Sequence, residues 1–274
     1  MVRVYYSHAN HPRRREHLSV VFVATFRMIA WTLEPLFPSS DDDAGSCSAA
    51  DAIVHNRSVV RVPQFASEAE CAALIAAAAH AEQNQLQNKL SSDATRLRFE
   101  INGRRFSGTS AADAKRTTVP ALDEKTQTLA NALVRRAIAL VQAEIPELAE
   151  AIGLATCNIN SPLSFSEGEP ALNVYYGPGG NFQPHRDMQA LTLLLTLTTR
   201  GDEFEGGGTS FWHPDVDRAA ARKGTTPPAA LLAPEKGTAL LWSGTFVHAG
   251  AEVTSGRRVV FVASFTPKEG GGRI

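Results

Sequence analysis

Short apolar segments separated by turn residues fill the C-terminal half of this chain and limit its fold more than any other feature. From Leu172 onward, runs of β-branched or apolar residues alternate with Gly, Pro and Asp. Such a pattern predicts several consecutive β-strands. The runs are LNVYY, ALTLLLTLT, TSFW, TALLW and RVVFVASF. We therefore expect an all-β region that starts near Leu172.

The residues before this region indicate helices. Ser67 and Glu70, three residues apart, form a capping box that opens the helical segment ECAALIAAAAHAEQ, which follows a short β-branched strand, SVVRVP. A second helix is predicted from about Leu122 to Gln142, and Pro146 limits its extension. Helices that precede a series of short strands predict an α+β fold, with a jelly-roll core of two sheets buttressed by the N-terminal helices.

Three other segments lack an apolar period or carry a turn signal. Residues 34–51 (EPLFPSSDDDAGSCSAAD) are rich in Pro, Ser, Asp and Gly, and we interpret them as a linker. Asn102-Gly103 predicts a hairpin within residues 97–106. Residues 215–234 are polar and predict a long loop, either a lid or a mobile segment, of which we prefer the mobile segment.

Composition narrows the range of partners. The chain has 274 residues, enough for a sizeable core, with a net charge of -1 and a pI near 6.7. This charge gives no long-range field that attracts nucleic acid or an anionic membrane, so we expect small or peptide-like partners. The three cysteines, Cys47, Cys71 and Cys157, are widely spaced, and we predict neither a disulfide framework nor a zinc site.

The N-terminus leaves localisation open. Residues 13–33 combine a basic cluster with the apolar run LSVVFVATF, then Arg27 and MIAWTL, which resembles a signal peptide or a weak membrane anchor. Arg27 would cost about 2.5–3.5 kcal/mol near the centre of a bilayer, so we do not expect a spanning helix. We favour the cytoplasm over the secretory route, on which Asn56-Arg57-Ser58 would be a candidate glycosylation site.

Two histidines and an aspartate indicate the chemistry. His185 and Asp187 lie two positions apart, and side chains two apart in an extended segment share a face. His248 follows TALLWSGTF, a strand pattern that ends in a turn. Two imidazoles and one carboxylate on one face of an octahedron hold Fe(II) and leave its other positions open, as an oxygenase requires. We therefore predict these three residues as metal ligands.

The His-x-Asp triplet occurs a second time, at His213-Pro214-Asp215. Its proline removes a backbone donor, and the triplet leads into a polar segment, whereas Asp187 is followed closely by the strand pattern ALTLLLTLT. We therefore place the ligands at His185 and Asp187. We interpret His213 as a surface or substrate-side residue.

Arg258 lies ten residues after His248 and starts the run RVVFVASF, behind a predicted turn at residues 255–257. A guanidinium at this position is either an exposed residue at the end of the barrel or a buried anion anchor, and it pairs bidentately with a carboxylate. Arg257 points to the opposite face if the strand is regular. We therefore prefer Arg258 as the anchor of an anionic co-substrate.

Three segments together resemble the 2-oxoglutarate and Fe(II)-dependent dioxygenases, most closely the prolyl 4-hydroxylase-like branch. They are NVYYGPGGNFQPHRD, FEGGGTSF and GTALLWSGTFVHAGAEVTSGRRVVFVASF. The segment VVRVPQFASEAECAALIAAA also looks like the strand and helix that open the catalytic domain of that branch. The resemblance spans about residues 58–267 and is weak in its middle part.

The resemblance implies roles for individual residues. The iron ligands would be His185, Asp187 and His248. Arg258 would bind the distal carboxylate of 2-oxoglutarate. Tyr176 matches a tyrosine that often lines the co-substrate pocket, with ordinary strand packing as an equal alternative, and Tyr175 should face the other way. Thr196 stands where relatives often have a tyrosine that contacts the co-substrate, so this contact departs from the family pattern.

The resemblance also implies a reaction. 2-Oxoglutarate would chelate Fe(II), and its oxidative decarboxylation by O2 would give succinate and CO2 while a C–H bond of the substrate is hydroxylated. Ascorbate would keep the iron reduced. We expect a peptidyl residue as substrate, with proline as the first guess. The alternatives are a free amino acid or small metabolite and, in another class, a non-enzymatic jelly-roll binding module, while a nucleic-acid demethylase is less expected without a basic stripe.

On this resemblance, residues 58–268 would form the dioxygenase domain. Helical support would occupy residues 58–165 and the jelly-roll core residues 166–268. Residues 1–57 would be an N-terminal extension or linker, with a targeting segment as an open alternative, and residues 269–274 a flexible tail.

Overall fold

The computed structural model describes residues 30–37, 48–91, 100–101, 104–105 and 115–268. The helices are α1 (Ala49–Val54), α2 (Glu68–Ser91), α3 (Glu124–Glu144), α4 (Pro146–Ala151) and α5 (Arg218–Arg222). The strands are β1 (Thr32–Pro35), β2 (Ser58–Val62), β3 (Glu100–Ile101), β4 (Arg104–Arg105), β5 (Lys115–Thr118), β6 (Leu163–Phe165), β7 (Ala171–Tyr176), β8 (Gly180–His185), β9 (Leu191–Thr196), β10 (Phe204–Gly206), β11 (Thr209–Phe211), β12 (Ala230–Leu232), β13 (Ala239–Trp242) and β14 (His248–Pro267).

Two antiparallel sheets form the core of the domain, and the long strand β14 belongs to both. Its C-terminal part pairs with β7 and β9, in a larger sheet that continues through β13, β2 and β1. Its N-terminal part pairs with β8, β10 and β11, in a smaller sheet that continues to β12. With helices packed on the larger sheet, this arrangement confirms the predicted α+β fold with a jelly-roll core.

A glycine lets β14 pass from one sheet to the other. Gly256 has a φ of +78°, and a Cβ at this position would lie 2.2 Å from the carbonyl oxygen of Glu203. Only glycine adopts this backbone without strain and leaves room for the neighbouring chain. The turn predicted at residues 255–257 is therefore wrong, because the strand continues through it.

Residues of the larger sheet alternate between two apolar clusters. Leu193, Leu195 and Phe261 belong to the cluster that the helices cover, whereas Leu194 and Val260 belong to the cluster between the two sheets. This alternation follows from the period of two in a strand. It explains why β9 reads as a continuous apolar run, since both of its faces are buried.

The two long helices start close to where the sequence predicts. Ser67 Oγ accepts the N–H of Glu70 at 3.2 Å, and a Glu70 carboxylate oxygen accepts the N–H of Ser67 at 2.8 Å, which confirms the capping box of α2. Arg136 of α3 donates to both carboxylate oxygens of Glu70, at 2.7 and 3.2 Å. Asp123 caps α3 by accepting the N–H of Thr126 at 3.0 Å.

The described part of the expected linker is folded onto the domain. β1 pairs with β2, with Leu33 opposite Val60, and Phe37 is buried between the sheets. The range 34–51 also contains the start of α1, whose Ile53 is fully buried. For residues 34–37 and 48–51 the linker prediction is corrected, because Phe37 and Ala50 are buried in the two apolar clusters.

Residues 215–234 are structured as well. They contain α5 and β12, and Ala221 of α5 packs against Trp212, Val247 and Ala249. Trp212 Nε1 donates to the carbonyl oxygen of Thr226 at 2.8 Å. Because Val247 and Ala249 flank His248 in sequence, they face away from it, and α5 covers the outer side of the smaller sheet. The prediction of a mobile loop is therefore corrected.

Several predictions fall partly or wholly outside the described residues. β3 and β4 pair antiparallel as the hairpin requires, although Asn102 and Gly103 themselves are not described. Cys71 and Cys157 are free thiols, while Cys47, most of the segment 13–33 and the tail 269–274 are not described. In the part of the chain that the structure describes, no helix has the length and apolar character needed to cross a membrane.

Candidate metal centre

His185 and His248 face each other because the strands that carry them pair. β8 ends at His185, β14 begins at His248, and the two residues are directly opposite in the smaller sheet. Asp187 follows in a tight turn whose position is fixed by one acceptor: the carbonyl oxygen of Gly244 accepts the N–H groups of Asp187 and Met188, both at 2.9 Å. Met188 has a φ of +58°, a conformation that turns the chain sharply after the carboxylate.

The three predicted ligands form a compact cluster. His185 Nε2 lies 3.4 Å from one carboxylate oxygen of Asp187, and His248 Nε2 lies 3.5 Å from the other. One ligand atom from each of the three residues lies within 4.8 Å of the others. Among the described residues this is the one group of three or more potential ligands with such geometry. A single ion between them would contact all three side chains.

Backbone carbonyls orient both imidazoles. His185 Nδ1 is 2.8 Å from the carbonyl oxygen of Gln183, and His248 Nδ1 is 2.9 Å from that of Phe246. A carbonyl oxygen only accepts, so each Nδ1 carries a hydrogen and each ring can present the lone pair of Nε2 to a metal. Both Nε2 atoms therefore face the carboxylate of Asp187, as ligation of a shared metal ion needs.

The electrostatics of the cluster also suit a divalent cation. Burial alone would raise the pKa of Asp187, but His248, His185 and the hydroxyl of Thr192 lower it. The resulting pKa of Asp187 is well below its usual range. Burial lowers the pKa of His248 to about 4, so this imidazole is neutral at physiological pH. Thr192 Oγ1 donates to Asp187 at 2.6 Å. One carboxylate with two neutral imidazoles is the ligand set of a non-haem Fe(II) site.

The second triplet does not assemble such a site. His213 Nδ1 lies 3.2 Å from an Asp215 oxygen, but the two side chains are 51% and 89% exposed, and no third ligand joins them among the described residues. The ring of His213 packs against Phe37 at 5.2 Å. His213 is therefore a surface residue, and the structure agrees with the choice of the first triplet.

Arg258 is a buried cation in the cleft that the two triad histidines line. The cleft between the two sheets has a volume of about 370 Å³, which includes space open to solvent, and it is lined by His185, His248 and Arg258, among others. Arg258 is 1% exposed, and its Nη1 has no hydrogen-bond partner among the described residues. Burial lowers its pKa, but a guanidinium keeps its proton in proteins. A buried charge of this kind needs an anionic partner, which agrees with the anchor role predicted for Arg258 from the sequence.

The tyrosine next to Arg258 is Tyr175, and the prediction for Tyr176 is corrected. Tyr175 lies opposite Arg258 and lines the cleft, with its ring 5.2 Å from the guanidinium. Tyr176 lies opposite Arg257, is 40% exposed, and donates from its hydroxyl to Glu82 at 2.8 Å. Because directly paired residues share a face, the tyrosine in register with the anion anchor is the one in the cleft.

Thr196 lies close to Arg258 on the other side. The two residues line a smaller cavity of about 200 Å³, which Phe204 and Gly208 also border. Thr196 is 2% exposed, and its hydroxyl has no hydrogen-bond partner in the described part of the chain. Its contact with a co-substrate stays a prediction.

The sequence missed other polar residues of the cleft. Thr209 and Trp242 line it with buried polar atoms that lack a partner among the described residues. Arg116 and Glu169 form an ion pair at 3.5 Å, and Glu169 has a raised pKa because burial, and then Asp187, disfavour its charge. The alternation of β13 and β11 would have placed Trp242 and Thr209 inward, but Arg116 comes from a segment that the sequence left unassigned.

Comparison with known proteins gives a family for this part of the chain. Residues 170–265 match the family model of the 2OG-Fe(II) oxygenase superfamily. No curated protein sequence matches the chain significantly. The matched range contains the triad, Arg258 and nearly the whole jelly-roll core.

Several solved structures are similar at low identity. The alpha ketoglutarate dependent epimerase SnoN from nogalamycin biosynthesis has 18% identity and a TM-score of 0.48, covering 79% of this chain and 81% of its own. The viral collagen prolyl hydroxylase of Paramecium Bursaria Chlorella virus-1 has 16% identity and a TM-score of 0.44, and the match covers 82% of this chain and 100% of its own. A Pseudomonas putida prolyl-4-hydroxylase has 14% identity and a TM-score of 0.45, and the match covers 80% of this chain and 96% of its own.

These likenesses do not distinguish one substrate from another, and the family assignment rests on the matched segment and on the assembled site. That segment carries two imidazoles and one carboxylate around a single point, and a buried arginine lines the cleft beside the two imidazoles. Residues 170–265 therefore match the 2OG-Fe(II) oxygenase superfamily and also assemble a site of the kind that non-haem Fe(II) oxygenases need.

Proposed function

We propose that this protein is an Fe(II)- and 2-oxoglutarate-dependent hydroxylase of a peptidyl residue, with proline as the first candidate. The observation that supports it most is that two histidines of the metal-binding triad line the same cleft as the buried Arg258, whose Nη1 has no partner among the described residues. A metal site alone would fit many functions. The added cation selects an anionic co-substrate that reaches from the metal into the core.

Each residue of the site has a distinct part. His185, Asp187 and His248 would hold Fe(II), and Arg258 would bind the distal carboxylate of 2-oxoglutarate. The unpaired donors of the cleft fit this co-substrate, which carries two carboxylates and a keto oxygen. When bound, the iron and 2-oxoglutarate supply the oxidation of a C–H bond by O2, with release of succinate and CO2. The chain itself orients these groups and limits the access of water, since Asp187 and His248 are almost completely buried.

The substrate would approach from the side of His185. The side chain of His185 is 27% exposed, whereas those of Asp187 and His248 are 5% and 7% exposed. Phe182 packs its ring at 4.7 Å from that of His185 and supplies an apolar wall at this opening. An open, partly apolar approach accommodates a residue that remains attached to a longer chain, and an aliphatic ring suits the aromatic wall. This is the basis for proposing a peptidyl substrate.

A second candidate substrate is a free amino acid or a small metabolite, and Arg116 favours it. Arg116 lines the same cleft, with its guanidinium 5.3 Å from the ring centre of Phe182. Although Glu169 and Asn173 already engage this side chain, a small anionic substrate would find a positive group close to the metal. The chemistry would be unchanged and only the substrate would differ.

The test measures succinate released from 2-oxoglutarate by the purified protein with Fe(II) and ascorbate. Proline-rich peptides, free proline and other free amino acids are added separately, and products are analysed by mass spectrometry for the gain of one oxygen atom. Asp187→Ala serves as the inactive control. Peptide-stimulated succinate with an oxidised peptide is the expected result, and stimulation by free amino acids alone would overturn the peptidyl assignment.

Two further parts of the proposal are open to the same assay. Omission of ascorbate should shorten the period of linear turnover, because ascorbate would re-reduce iron that has become oxidised. Nucleic acid should not stimulate succinate release. We also propose a cytoplasmic location, which imaging of the full chain with a C-terminal tag would check against entry into the secretory route.

A further inference from the structure

One turn of the backbone holds two of the proposed metal ligands. Residues 243–246 form this turn, which is closed by a hydrogen bond of 3.0 Å from its last N–H to its first carbonyl oxygen. The carbonyl oxygen of Gly244 accepts the N–H of Asp187 at 2.9 Å, and that of Phe246 lies 2.9 Å from Nδ1 of His248. Because both oxygens belong to one short segment, a shift of the 243–246 turn would displace both ligands.

The turn lies in direct backbone contact with the loop that carries Asp187. A Cβ at Gly244 would lie 2.3 Å from the carbonyl oxygen of Gln189, so a side chain at this position would push the two segments apart. Contacts from elsewhere in the chain therefore decide whether the turn stays in place.

The first such contact comes from Asn56, at the corner between α1 and β2. Its Nδ2 donates to Thr245 Oγ1 at 3.1 Å, and its Oδ1 accepts the Thr245 hydroxyl at 3.2 Å. Ser243 Oγ lies 2.8 Å from the same Thr245 oxygen. Asn56 has a φ of +58°, a left-handed conformation that asparagine adopts more readily than most residues. Its side chain therefore ties the corner to the first half of the turn.

The second contact comes from Phe37, in the segment that follows β1. Its ring packs edge-on against that of Phe246, with 6.1 Å between the ring centres, and the residue is buried. The N–H of Phe37 donates to the carbonyl oxygen of Arg57 at 3.0 Å, and Arg57 is the neighbour of Asn56 in sequence. Phe37 and Asn56 are thus fixed to each other and contact the two halves of the turn together.

We propose that Asn56 and Phe37 are positioning residues for the metal centre, which act through the 243–246 turn on the two ligands that it holds. This inference rests on the proposed function, because it concerns the same Fe(II) site. Ligands support binding when they are held within about 0.5 Å of the productive geometry. Both residues precede the range 170–265 that matches the superfamily model, so the N-terminal part of the chain contributes to metal binding as well as to folding.

Anaerobic titration of Fe(II) into the full chain tests this at a temperature at which every variant is folded. Asn56→Gly removes both side-chain hydrogen bonds but keeps a residue suited to a positive φ. Thr245→Val removes the same bonds from the other side, and Phe37→Ala removes the ring contact. We expect each of the three to weaken Fe(II) binding by about 3- to 30-fold, the range for residues that act through a neighbour. Thr245→Ser keeps the hydroxyl and should bind Fe(II) as the wild type does.

Leu33→Ala is the matched control in the same N-terminal segment. Leu33 of β1 lies opposite Val60 and packs against the cluster that the helices cover, away from the turn. Leu33→Ala should lower the melting temperature at least as much as Asn56→Gly does, with wild-type Fe(II) affinity. The visible absorption of bound Co(II), which reports ligand geometry, should change in Asn56→Gly and not in Leu33→Ala.

Two results would overturn this inference and leave the proposed function standing. One is wild-type Fe(II) affinity in Asn56→Gly, Thr245→Val and Phe37→Ala alike. The other is an equal loss of Fe(II) affinity in Leu33→Ala, because the loss would then follow stability and not the turn. If the wild type itself does not bind Fe(II), the proposed function fails and this inference fails with it.

Discussion

Arg258 and Tyr175 lie directly opposite each other on β14 and β7, and the Arg258 guanidinium is 5.2 Å from the centre of the tyrosine ring. The preceding pair in the same register, Arg257 and Tyr176, occupies the other face of the sheet, where both side chains contact Glu82 of α2. Two adjacent arginines therefore have separate roles. Arg257 tethers a helix to the sheet, and the buried Arg258 is the arginine that we propose as the anion anchor.

Arg258→Ala should lose most of the affinity for 2-oxoglutarate. Removing one partner of a buried charge pair costs about 2–5 kcal/mol, so we expect a loss of about 30-fold or more in an anaerobic binding assay. Fe(II) affinity should be little changed. Arg257→Ala is the control, because this side chain pairs with Glu82 outside the cleft. Equal 2-oxoglutarate affinities in the two variants would contradict the assignment of the anchor.

The two neighbouring tyrosines should also separate in their effects. Tyr175→Leu removes the ring beside the Arg258 guanidinium and should raise the KM for 2-oxoglutarate, since a cation over an aromatic face is worth about 0.5–2 kcal/mol. Tyr176→Phe removes only the hydroxyl that donates to Glu82, and should lower stability by about 1 kcal/mol without changing this KM. Steady-state kinetics and chemical denaturation measure the two effects. A raised KM in Tyr176→Phe alone would instead support Tyr176, which the family resemblance suggested with strand packing as an equal alternative.

Thr192 should position the carboxylate ligand. Its hydroxyl donates to Asp187 at 2.6 Å, and Thr192→Val removes this bond at nearly constant volume. Loss of an outer hydrogen bond of this kind weakens metal binding by about 10–100-fold, so we expect that loss of Fe(II) affinity in an anaerobic titration. Thr192→Ser should retain most of the affinity. Thr198→Val, which loses a buried bond to the N–H of Val259, is the control for general destabilisation.

Acid should remove one identifiable contribution to stability. The hydrogen bond from Arg136 lowers the pKa of Glu70 from 4.5 to about 2, together with the hydrogen bonds from Ser67 and the charge of Arg136 and against the opposing effect of burial. Because the folded-state pKa lies below the unfolded one, the contribution is fully present above pH 4.5 and is lost as the pH falls toward 2. Glu70→Gln should cost about 1 kcal/mol at pH 7, since the pair is partly exposed to solvent and screened by it.

The same cost should shrink toward zero near the folded-state pKa. Denaturant unfolding of Glu70→Gln and wild type at several pH values measures this difference. Glu68→Gln is a matched control in the same helical turn, where the exposed Glu68 pairs with Lys236. A stability difference for Glu70→Gln that stays constant from pH 7 to 2 would show that the ion pair is not its source.

The sequence predicts those features that depend on periodicity and on the order of residues. The strand patterns place β7, β9, β11 and β13 correctly, and the capping pair Ser67 and Glu70 marks the start of α2. The ligand triplet is distinguished from its duplicate because proline at position 214 is poorly suited to a strand. These are local properties, and a single segment is sufficient to read them.

Features that depend on distant partners could not be read in the same way. Tyr175 and Tyr176 differ only in register with β14, which no local pattern specifies. Residues 34–37 look like a linker in composition, yet they have β2 and the inter-sheet core as partners. The turn predicted at residues 255–257 is absent because β14 changes sheets at Gly256, and the glycine that favours a turn also allows such a crossing.

The central claim is that His185, Asp187 and His248 form the Fe(II) site. Anaerobic Fe(II) binding to the wild type, His185→Ala, His248→Ala and His213→Ala tests it most directly. We predict that His185→Ala and His248→Ala each weaken Fe(II) binding by more than about 100-fold, which is the largest loss expected from removing a hydrogen bond to a ligand. His213→Ala should bind Fe(II) as the wild type does. Wild-type Fe(II) affinity in both His185→Ala and His248→Ala would contradict the claim.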